Sequence, residues 1–125
     1  MKHPEYNLHR AVATYLTIAL KPPTWWTSID HGLHLDPKSA ARQINRLHAV
    51  GVKFGVPDVL VVHEGRCHWI ELKSDRGRLS EAQKATTPAL VAAGCEFIVA
   101  RNVDQVRDAL KAWGIPTREA ERTAA

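Results

Sequence analysis

The sequence predicts an α/β domain of three layers, in which helices flank a central mixed sheet of four strands. Three observations carry that expectation. Apolar stripes at three- and four-residue spacing alternate with short runs of β-branched and aromatic residues. Two of those runs, Asp58–His63 and Arg66–Lys73, are separated only by Glu64-Gly65, a hairpin signal. Proline or glycine closes most segments. At 125 residues and 13.9 kDa the chain has room for one domain, expected over 1–116, with a frayed polar tail over 117–125.

Pro4 and Glu5 open a helix to about Leu20, with Leu8, Val12, Tyr15, Leu16 and Ala19 on one apolar stripe. Pro22-Pro23 stops it. Thr24 to Ile29, aromatic and β-branched, reads as a strand, and His31 to Leu35 as loop. Asp36-Pro37 supplies an N-cap with proline at the first helical position, for a helix that runs to Val50 and stops at Gly51. The hairpin follows. Ser80 and Gln83 form a capping box for a helix to about Ala93, closed by Gly94 and expected to kink or split at Pro88. Cys95 to Ala100 is a buried strand, and Val103 to Trp113 is a last amphipathic helix carrying Val106, Leu110 and Trp113.

Composition narrows the class. The chain is 45% hydrophobic and 24% charged, which excludes disorder, and no run approaches the ~20 apolar residues of a membrane span. The N-terminus lacks the apolar run of a secretory signal. Two cysteines, Cys67 and Cys95, are too few for a disulfide scaffold or a four-cysteine zinc site. They read as buried small hydrophobes in a reduced cytoplasmic compartment. The net charge of +4 favours a polyanionic partner weakly.

The hairpin register decides the chemistry. A two-residue loop at Glu64-Gly65 sets His63 opposite Arg66 and Asp58 opposite Glu71 on one face, with Lys73 two residues further on that face. A three-residue loop with a bulge would put Asp58 on the face opposite Glu71. Directly opposed carboxylates, ~5 Å apart at Cβ, destabilise a sheet, and one lysine does not balance two of them. A hard divalent cation such as Mg²⁺ or Mn²⁺ does, with the backbone carbonyl of Leu72 as a further ligand. Lys73 then stands beside the ion as a compact positive charge for the transition state.

The same residues carry a resemblance. Gly55-Val56-Pro57-Asp58, Ile70-Glu71-Leu72-Lys73, Gly77-Arg78-Leu79-Ser80 and Gln83, in that order, resemble the VRR-NUC nucleases, a branch of the PD-(D/E)XK superfamily. The likeness runs from about Glu5 to Pro116. It implies a restriction-endonuclease-like fold, as in Holliday-junction resolvases, and Mg²⁺- or Mn²⁺-dependent hydrolysis of phosphodiester bonds in DNA. It also implies a branched substrate such as a four-way junction, cut by a homodimer in a bacterial or phage-infected cell. Asp58 and Glu71 match the family's metal-binding carboxylates, Lys73 its catalytic lysine, and Gln83 a glutamine that orders the site. Glu5 matches the acidic residue of the first helix, which either binds a second metal or acts behind the direct ligands.

Arg76, Arg78 and Lys84, close to the hairpin end, are candidates for holding the flanking phosphates. Gln83 has a purely structural role available in the capping box, and its amide has two ends, so both roles can hold. Of Trp25 and Trp26, adjacent on a strand, one faces the core and the other is partly exposed, to stack on bases or meet a partner subunit. Trp69, opposite Leu60, and Trp113 read as core. His31 and His34, with His48, have no cysteine pair to complete a zinc site. Two other functions stay open: a non-catalytic DNA-binding or assembly module, and a sequence-selective restriction-like nuclease of the same superfamily.

Overall fold

A computed structural model of the chain describes residues 3–30 and 35–124. Its elements are α1 (Pro4–Ala19), β1 (Trp25–Ser28), α2 (Ala40–Ala49), β2 (Val59–His63), β3 (Arg66–Leu72), α3 (Glu81–Ala92), β4 (Glu96–Ala100), α4 (Val103–Ala112) and α5 (Arg118–Ala124). The four strands form one sheet in the order β1-β2-β3-β4. β1, β2 and β3 are antiparallel and β3 and β4 parallel, so the sheet is mixed as expected. Among the described residues, no helix is long and apolar enough to cross a membrane.

The hairpin takes the two-residue loop. Glu64 and Gly65 both have positive φ, 49° and 76°, the pattern of a turn that matches strand twist. The ladder then runs from His63↔Arg66 to Val59↔Ile70. With a period of two, Val59, Val61, His68, Ile70 and Leu72 face one way, onto Val12 and Leu16 of α1 and Val106 and Leu110 of α4. That core anchors the two strands whose ends carry the site. Leu8, Tyr15, Trp26 and Trp113 pack at its margin, Trp113 against the His68 ring at 5.0 Å. The other sheet face is only partly covered. Trp25 is 58% exposed, and Trp69, Cys67 and Cys95 are half-buried rather than core residues.

Three helices end the same way. After α2, α3 and α4, the N–H groups of Val52, Cys95 and Ile115 reach back to Leu47, Leu90 and Leu110, across Gly51, Gly94 and Gly114 at positive φ.

Several local expectations are corrected. α2 starts at Ala40, not at Pro37, because the Asp36 carboxylate accepts the Lys38 N–H at 3.0 Å and closes a separate turn. α3 is not split at Pro88: its first turn is fixed by the capping box, and Thr86 Oγ1 donates to the Phe54 carbonyl at 2.6 Å. The residues after Pro116, expected to fray, form α5. Tyr15 donates to Glu119 there, Arg107 Nε donates to the same carboxylate at 3.1 Å, and Lys21 pairs with Glu121. His31 and His34 lie outside the described residues.

Candidate active site at the open end of the hairpin

Asp58 immediately precedes β2, and Glu71 is the next-to-last residue of β3. One further step of the ladder sets them across from each other, on the sheet face away from the core. Asp58 Oδ2 accepts from the Leu72 N–H at 2.8 Å, so the aspartate is tied to the strand that carries its partner. Glu71 is 2% exposed. Its Oε2 accepts from Gln83 Nε2 at 2.7 Å and lies 3.3 Å from Lys73 Nζ. Its Oε1 is buried and has no hydrogen-bond partner among the described residues.

Burial first, and then the negative charge of Asp58, raise the Glu71 carboxyl to about 7 against the opposing Lys73 ammonium. An ordinary strand would not keep this arrangement, since a buried, partnerless carboxylate oxygen costs on the order of 1–3 kcal/mol. Opposed carboxylates with an unfilled oxygen are a donor set for a hard divalent ion, and these residues fit one. Among the described residues, no three His, Cys, Asp or Glu side chains converge as a ligand cluster. A bound ion would therefore complete its shell from backbone carbonyl and water, as Mg²⁺ commonly does.

Beside the pair lies a cavity of about 320 Å³, lined by Glu5, Tyr6, His9, Ile29, Asp30, Asp58 and Leu72. Leu72 is thus placed at the site, and Glu5 faces it from the first turn of α1. A Cβ on Gly77 would come within 2.9 Å of Glu5 Oε1, so the loop after β3 closes against that carboxylate. Arg101 braces the loop, its Nη1 donating to the carbonyls of Ser74 at 2.6 Å and Gly77 at 2.8 Å. Arg76 and Arg78 are exposed on the same loop. Lys84, exposed on α3, pairs with Glu81 at 3.3 Å and is not drawn into the Asp58–Glu71 centre.

Gln83 holds both of its roles at once. Its Oε1 accepts from the Ser80 N–H at 2.8 Å while Nε2 holds Glu71. Gly55, with φ of +81°, lets this happen: a Cβ there would lie 2.3 Å from the Ala82 carbonyl, so only a bare backbone lets α3 dock close to the hairpin. Asp30 and His9 escaped the sequence reading. The Ile29 N–H donates to the Asp58 carbonyl at 2.8 Å and carries Asp30 to the cavity, and His9 Nε2 meets Ser28 Oγ at 2.9 Å. No turn joins β1 to β2, so their register has no local sequence signal.

Known proteins resemble this chain in sequence profile and in fold. The VRR-NUC domain profile matches residues 13–104, a span that contains Asp58, Glu71, Lys73 and Gln83 but not Glu5. Among solved structures, one described as a VRR_NUC domain protein is similar at a TM-score of 0.58 and 22% identity, covering 87% of this chain and 86% of its own. Another, described as a VRR_NUC domain, is similar at a TM-score of 0.55 and 14% identity, covering 86% and 95%. At these identities the likeness is one of fold. No curated protein matches the sequence.

Proposed function

Because the chain belongs to the VRR-NUC family, a family of nucleases, we propose that it is a metal-dependent DNA endonuclease selective for branched structures such as four-way junctions. The buried Glu71 Oε1, without a partner and facing Asp58's charge, carries the reading. Mg²⁺ or Mn²⁺ would be held by Asp58 and Glu71, with the Leu72 carbonyl and water completing the shell and Glu5, across the cavity, acting through that water. When bound, the ion neutralises charge on the scissile phosphate and acidifies the attacking water. Lys73, 3.3 Å from Glu71, favours the ionised form of that carboxylate against burial and adds positive charge where the transition state gains negative charge. Gln83 holds Glu71 in orientation. Arg76, Arg78 and Lys84 bind the flanking phosphates, so affinity falls steeply with salt.

A symmetric homodimer acting on two strands completes the proposal. The half-covered sheet face supports it. Trp25 stands 58% exposed there, beside the half-buried Val62 and Cys67. The two unpaired cysteines fit a cytoplasmic protein.

The experiment is a cleavage panel of duplex, flap and four-way-junction DNA, with Mg²⁺ titrated and EDTA as control. Metal-dependent nicking strongest on the junction supports the proposal. Equal cutting of duplex at preferred sequences points instead to a restriction-like enzyme, and binding without cleavage to a non-catalytic module.

A further inference from the structure

The formal charge excess of the chain is confined to one segment. The whole sequence has 17 lysines and arginines against 13 acidic residues, a net +4. Residues 37–57 contain Lys38, Arg42, Arg46 and Lys53 and no aspartate or glutamate, so the rest of the chain is balanced at 13 against 13. All four side chains are exposed, and none has an ion-pair partner among the described residues.

The fold arranges these charges rather than scattering them. α2 turns Gln43, Ile44 and Leu47 inward, half-buried, and leaves Arg42 and Arg46 on its outer side. Four residues apart, they stand one above the other at about 6 Å along the axis. At that spacing two flexible guanidinium side chains can reach neighbouring phosphates of one strand. Lys38 precedes Arg42 by the same interval, in the turn that leads into the helix, and Lys53 follows the closing turn.

The segment is also joined to the candidate active site. A cavity of about 360 Å³ runs between Leu47, Val52 and Phe54 and the residues Ile29 and Asp30, which also line the cavity beside Asp58. At its end Gly55 packs on the first turn of α3, which presents Gln83 to Glu71, and Pro57 is buried immediately before Asp58.

We infer that α2 and its flanks are a second DNA contact, in which Lys38, Arg42, Arg46 and Lys53 follow the phosphate backbone of a duplex arm leading away from the scissile bond. The inference rests on the reading of the chain as a DNA nuclease and adds a surface that neither the hairpin nor its loop supplies. Phosphate contacts of this kind position the duplex without reading its sequence.

The test is fluorescence anisotropy with a labelled duplex in EDTA over a range of salt, for the wild-type protein, the double variant Arg42→Gln/Arg46→Gln and the control Lys111→Gln on α4. Circular dichroism establishes that each is folded. Each lost phosphate contact lowers the log–log salt slope by about 0.9. The double variant is therefore expected to lose nearly two from the slope and to bind roughly tenfold more weakly at low salt. With Mg²⁺ and junction DNA its KM rises while kcat at saturation is retained. An unchanged slope in a double variant whose parent binds and cleaves DNA overturns the inference alone, as does an equal loss in Lys111→Gln. A wild-type protein that binds no DNA overturns the inference together with the proposed function.

Discussion

Gln83 joins the cap of α3 to the buried carboxylate of Glu71: Nε2 donates to Glu71 Oε2 at 2.7 Å, and the opposite end of the same amide accepts from Ser80. The helix start and the candidate active site are thus held by one side chain. Glu71 cannot tilt toward Lys73 without drawing on the first turn of α3.

Substitution at Gln83 separates the two roles. Gln83→Ala loses both bonds and is expected to cost about 1–2 kcal/mol by urea unfolding. Gln83→Glu preserves the capping box but sets a carboxylate against Glu71. We expect it to keep the cap but to lose nicking activity and, through like-charge repulsion beside Glu71, some stability that returns as pH falls.

The raised titration of Glu71 makes stability depend on pH in a stated direction. The group titrates near 4.5 when unfolded and about 7 when folded, so the native state holds more protons between those values. Metal-free protein should therefore lose stability as pH rises through that window, by up to about 3 kcal/mol. Urea midpoints at pH 5 and pH 8 in EDTA check this. Glu71→Gln should flatten the dependence and leave the variant more stable than wild type at pH 8, but inactive.

Gly55→Ala tests the docking of α3. The position needs positive φ, and a methyl there would strike the Ala82 carbonyl at 2.3 Å. We expect a loss of more than about 2 kcal/mol and, in protein that remains folded, weaker nicking through a displaced Gln83.

Tyr15→Phe removes the hydroxyl that holds Glu119 of α5. Burial, together with that carboxylate, raises the tyrosine's own titration. The expected cost is about 1 kcal/mol with nicking unchanged, because the strap lies away from Glu71. Thermal unfolding and a nicking assay read both.

How legible each feature was follows from how local its cause is. The Asp58–Glu71 pairing was readable because a two-residue loop and a period of two leave little freedom, and the loop residues Glu64 and Gly65 take the conformation this requires. Ser80 and Gln83 cap their own helix, so the start of α3 was readable too. α5 was not, since its anchors Tyr15, Lys21 and Arg107 come from elsewhere in the chain. Asp30 reaches the cavity only through the pairing of β1 with β2, which no turn encodes. The start of α2 was misplaced because Asp36 closes a turn of its own, a choice open to any aspartate before proline.

Calorimetric titration of Mn²⁺ into the protein at pH 6, in two buffers of different ionisation enthalpy, probes the carboxylate pair most directly. Binding should release about one proton, because an ion displaces the one Glu71 still holds at that pH, and both the heat and the proton should vanish in Glu71→Gln. Mn²⁺ uptake of equal affinity in Glu71→Gln, or uptake with no proton released, would contradict the account.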